Sequence, residues 1–136
     1  MKNLIISLVI LLVSSMSASV YAESIVYTGT IGKYKVHMVL DENDEGYYYY
    51  DHRPQSRFNL VKTHESECNE CMHCVHMTLQ EYAPGTNKNT GEFVGKYRFC
   101  KDGGIAIVSI EGTFRNKTTG KTLPFDVSYG YTYETY

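Results

Sequence analysis

Apolar and polar residues alternate along most of the chain, and turn-forming residues recur at short intervals. Alternation is the period of a strand with one buried face, and helical periodicity is nearly absent. Ile25–Ile31 and Tyr34–Leu40 flank Gly32-Lys33, a two-residue hairpin turn with glycine first. Pairing Ile31 with Tyr34 sets Gly29 against Val36, Tyr27 against Met38 and Ile25 against Leu40. One face is then apolar, while Thr28, Thr30, Lys35 and His37 take the other.

The alternation continues downstream. A hairpin through Asp41–Gly46, with Leu40 opposite Tyr47, turns Tyr47 and Tyr49 inward and Tyr48 and Tyr50 outward. A turn at Arg53-Pro54 leads to Arg57–Lys62, with Phe58 and Leu60 inward. Val75–Tyr82 buries Val75, Met77 and Leu79. After a turn-rich loop at Ala83–Gly91, Glu92–Cys100 buries Phe93, Gly95, Tyr97 and Phe99. Ile105–Arg115 turns Val108, Ile110, Gly112 and Phe114 inward, which points Ile105 and Ile107 outward. A bulge near Ser109, or a strand covered on both faces, is therefore expected. Lys121–Tyr129 closes the series with Leu123, Phe125, Val127 and Tyr129 inward.

Eight sequential strands predict an all-β fold: a single antiparallel meander closing into a small barrel, with a β-sandwich as the alternative. Gly29, Gly95 and Gly112 fall mid-strand on the inner face. Glycine there weakens a flat strand but permits a sharp bend, which favours the barrel.

The N-terminus changes the chemistry expected of everything after it. Met1-Lys2-Asn3 is a short basic start, Leu4–Val13 is apolar apart from Ser7, and Ser14–Ala22 is small and polar. This is the plan of a secretory signal peptide over residues 1–22, cleaved after Ala22, with an all-β domain over 23–136. The apolar run is shorter than the roughly 20 residues a membrane span needs. Periplasmic or secreted localisation follows. The whole chain has net charge −2, and removing Lys2 makes the remainder slightly more acidic. That balance disfavours nucleic acid or an anionic membrane as partner.

Cys68, Cys71 and Cys74 are spaced two residues apart, with His73 and His76 alongside and Cys100 further on. In a cytosolic protein that pattern suggests zinc. In an exported one it suggests disulfides. Pairing Tyr82 with Glu92 places Cys74 opposite Cys100, so the expected bridges are Cys74–Cys100 and Cys68–Cys71. Haem attachment fails because Met72 and Val75, not histidine, follow the second cysteines of the two pairs. Asp41-Glu42-Asn43-Asp44-Glu45-Gly46 opens like a calcium loop, but His52 stands where a bidentate glutamate is needed, so a solvated turn is expected. The five histidines are scattered, and no nucleophile elbow, His-Glu-x-x-His or phosphate loop occurs. No enzyme activity, cofactor or metal is expected.

Gly29-Thr-Ile-Gly-Lys-Tyr-Lys-Val-His-Met-Val-Leu40, Gly46-Tyr-Tyr-Tyr-Tyr50, Thr90-Gly-Glu-Phe-Val-Gly95 and Gly120-Lys-Thr-Leu-Pro-Phe125 together resemble a group of small secreted bacterial all-β proteins of largely unknown function. The resemblance implies fold and export and carries over no catalytic residue. A more distant architectural similarity is to periplasmic lysozyme inhibitors and immunity proteins. The expected function is accordingly a periplasmic protein-binding module, an inhibitor or immunity partner of a cell-envelope hydrolase or toxin, acting by surface occlusion. Its expected contacts are Asp41, Glu42, Asp44, Glu45, Tyr48 and Tyr50. The alternatives are a small-ligand carrier with an interior lined by Tyr27, Met38, Tyr49 and Tyr97, and a zinc-binding protein using the cysteine segment.

Overall fold

The computed structural model describes residues 24–132, so the expected signal segment and its cleavage point lie outside the described residues. Eight strands follow in order: β1 (Ser24–Ile31), β2 (Tyr34–Asp41), β3 (Gly46–Tyr50), β4 (Phe58–Glu67), β5 (His73–Tyr82), β6 (Asn89–Asp102), β7 (Ile105–Asn116) and β8 (Thr122–Thr132). Each pairs antiparallel with the next, and β1 pairs with β8, which closes the sheet into the expected meander barrel. The joints are unequal. β6–β7 matches twelve residue pairs, whereas β3–β4 matches three and β1–β8 four. A long wall of β4–β8 is thus joined to a short wall of β1–β3 along two brief seams.

The interior is filled by Tyr27, Ile31, Val36, Met38, Leu40, Tyr48, Leu60, Val75, Met77, Leu79, Phe93, Val108, Ile110, Phe114, Phe125 and Val127. The β1–β2 register is the one the Gly32-Lys33 turn dictates, with Ile31 opposite Tyr34 and Tyr27 opposite Met38. Tight coiling depends on bare backbone. A Cβ on Gly29 would lie 1.8 Å from the Asp126 carbonyl oxygen, and one on Gly112 would lie 2.1 Å from that of Val94. Neighbouring strands cross there too closely for a side chain.

Three expectations are corrected. β7 pairs with both neighbours without interruption, so there is no bulge near Ser109, and Ile105 and Ile107 simply stand on the outer face, about half exposed. In the β2–β3 hairpin Leu40 faces Gly46, not Tyr47. Asp44 adopts φ 58°, and the Asp41 amide donates to the Glu45 carbonyl, so the loop closes one residue earlier. A short polar side chain tolerates this left-handed position, which three-residue hairpin loops require. One residue of slip exchanges the faces. Tyr48 is therefore buried at 1% exposure, with Tyr50 on its side, while Tyr47 and Tyr49 lie outside.

The third correction concerns the cysteines. The bridges are Cys68–Cys74 and Cys71–Cys100, with Cα atoms 5.1 and 4.9 Å apart. One extra residue, Thr90, interrupts the β5–β6 ladder where Tyr82 pairs with Asn89. The rest of the ladder runs two residues away from the expected register, with Gln80 rather than Tyr82 opposite Glu92, so Cys74 faces Arg98. Cys68 instead continues the β4–β5 ladder, its amide donating to the Cys74 carbonyl. Cys71, at φ 54°, turns the loop tip onto β6, where the Met72 amide donates to the Phe99 carbonyl and Cys100 lies next in line.

Candidate functional site

In an up-and-down barrel alternate turns share an end. Segments 32–33, 51–57, 83–88 and 117–121 surround one mouth, and 42–45, 68–72 and 103–104 surround the other. A cavity of about 450 Å³ opens at the first mouth. The ends of β2, β3, β4, β7 and β8 supply its walls through Tyr34, Tyr50, Phe58, Phe114 and Leu123, and loop residues His52, Arg53 and Lys121 stand at its edge. The rings of Tyr34, Tyr50 and His52 lie within about 6 Å of one another, and Tyr50 meets Phe58 edge to face. The loops are locally fixed. The Arg53 amide donates to the Tyr50 carbonyl, and the Asn116 side-chain oxygen accepts from the amides of Thr118 and Thr119.

Behind this aromatic wall lies a buried polar cluster around Glu81. Tyr50 meets Tyr48 edge to face, the Tyr48 hydroxyl donates to Glu81, and the Thr90 hydroxyl donates to the other Glu81 oxygen at 2.7 Å. Glu81 is 3% exposed, and burial pushes its carboxyl above the usual carboxylate range against the opposing pull of the Tyr48 and Thr90 bonds. Burial, then the neighbouring Glu81 charge, drives the Tyr48 phenol far upward, so it remains a donor.

The expected contact set does not converge. Asp41, Glu42, Asp44 and Glu45 lie at the opposite end of β3 from Tyr50, and Tyr48 is inside the core. Asp41 accepts from the amides of Asn43 and Glu45, and Asp44 pairs with Lys62 at 3.1 Å, so these carboxylates serve the turn. Tyr49, expected inside, stacks on His37 on the outer wall, and Arg57 caps Tyr47 beside it. Sequence reasoning missed Tyr34, His52, Arg53, Lys121 and Glu81. The first four were within reach, because the expected strands already grouped their turns at one end.

A second concavity, about 420 Å³ and polar, lies against the cysteine loop between Glu67 and Cys74. All four cysteines are bridged, which leaves no thiolate for zinc, and no group of three potential ligands assembles among the described residues. Two disulfides in so small a domain fit an oxidising compartment outside the cytoplasm. Comparison with protein-family models, with curated proteins and with solved structures finds no match for the chain.

Proposed function

We propose that this chain is a non-catalytic, exported binding barrel that takes a small organic ligand at its aromatic mouth. The observation that carries this reading is the concave, largely apolar site framed by Tyr34, Tyr50, Phe58, Phe114 and Leu123 above a filled core. Small-ligand sites combine such apolar walls with a few placed polar groups, and barrel mouths are a preferred location. The core leaves the ligand at the rim instead of deep inside, as a barrel this small requires.

Inhibition of an envelope hydrolase by surface occlusion loses much of its support, because its acidic and aromatic contacts lie at different ends or in the core. It would rest on the acidic turn alone.

Titration of the labelled protein with neutral 2-naphthol, followed by amide and aromatic NMR shifts, tests the proposal. Perturbations should concentrate on Tyr34, Tyr50, Phe114 and Leu123. Shifts scattered over the outer wall, or recovery of an envelope hydrolase whose binding depends on Glu42 and Glu45, would overturn it.

A further inference from the structure

The two ends of the barrel carry opposite charge. Among loop residues at the aromatic mouth, Lys33, Arg53, Arg57, Lys88, Lys117 and Lys121 face a single acid, Asp51. The loops at the other end carry Glu42, Asp44, Glu45 and Glu70 and no lysine or arginine. This polarity runs against the chain's own net charge of −2. Asp51 is also spent locally, held by His37 at 2.8 Å.

The cations at the cavity edge differ from those on the barrel wall. Lys62, Lys96, Arg98 and Arg115 all pair with carboxylates. Arg53 and Lys121 line the cavity, no carboxylate lines it with them, and neither makes an ion pair with a described residue. Two unneutralised cations beside aromatic walls form a site for a negative group attached to an apolar ring.

Resting on the mouth as the ligand site, we propose that its ligand is a small aromatic anion, a ring bearing a carboxylate or comparable acid. The ring lies among Tyr34, Tyr50 and Phe114, and the acid meets Arg53 and Lys121. Charge-assisted bonds are strong when sheltered from water, and exposed ion pairs contribute much less. Arg53 and Lys121 are exposed, so the pair together should favour the anion over a neutral analogue by about tenfold.

Dissociation constants for 2-naphthoate, 2-naphthol and 2-naphthylmethylammonium, measured on the full folded protein at low and at moderate salt, decide the matter. The expected order is naphthoate tightest by about tenfold, naphthol next, and the ammonium weakest, with the naphthoate advantage shrinking as salt screens it. The double variant Arg53→Gln with Lys121→Gln should lose the preference for naphthoate over naphthol, and a preference that survives in it would overturn the proposal. Equal affinity for naphthoate and naphthol would leave the mouth as a ligand site and overturn its anion selectivity. Absence of binding by all three would overturn the ligand site itself.

Discussion

Glu81 stands where a barrel of this size usually places an aliphatic side chain, and its surroundings say which protonation state it prefers. Tyr48 and Thr90 both donate to it, which favours the carboxylate, but burial outweighs them and raises its pKa. A raised folded-state pKa means that the neutral form is favoured in the fold. Its stabilisation is complete below the ordinary carboxylate range and is lost as pH rises through the raised value. Glu81→Gln keeps an acceptor for Tyr48 and cannot ionise. Denaturant titrations at several pH values should therefore show the variant gaining on the parent above about pH 4.5 and running parallel to it below. A difference that is flat with pH would show that the carboxyl titrates alike in both states. At the same scale, Gly112→Ala must push a methyl into the Val94 carbonyl, and a loss of about 2–4 kcal/mol is expected by denaturation. Gly85→Ala meets nothing within 4 Å and should cost about 1–2 kcal/mol, from its positive φ alone.

Among the elements, the cysteine loop shows how far local reasoning reaches. The spacing and the expected export point to four disulfide-bonded cysteines, and a β5–β6 register two residues away from the expected one changes the partners. A displacement of two residues from the expected register leaves no mark in alternation, because parity survives. The Tyr47–Tyr50 run failed for the opposite reason, since a single residue of turn length reverses parity, and only the left-handed Asp44 reveals it. By contrast Gly32-Lys33 fixes β1 against β2 completely, since a two-residue turn leaves no freedom. Cleavage after Glu70 and Met72 separates the first three cysteines, and mass spectrometry should then find Cys68 joined to Cys74 and Cys71 joined to Cys100. Finding Cys74 on Cys100 would contradict the observed register. In stability, removing the 29-residue Cys71–Cys100 link should cost about 3–4 kcal/mol, and removing the six-residue Cys68–Cys74 ring about 2.

For the whole molecule, class and strand order were legible because eight alternating segments joined by short turns leave few arrangements other than a meander. The mouth was less legible, since its residues come from four turns that meet only once β1 pairs with β8. That closure has a further consequence. Amide exchange in such a barrel need not await complete unfolding, because the three-pair and four-pair seams can part while the twelve-pair β6–β7 ladder holds. The aromatic mouth straddles both seams, with Tyr34 and Tyr50 on the short wall and Phe58, Phe114 and Leu123 on the long one. An occupant therefore acts as a clasp. At about one hundred times its Kd, naphthoate should slow deuterium uptake along β1 and β3 about a hundredfold, turning a hinged cylinder into a locked one.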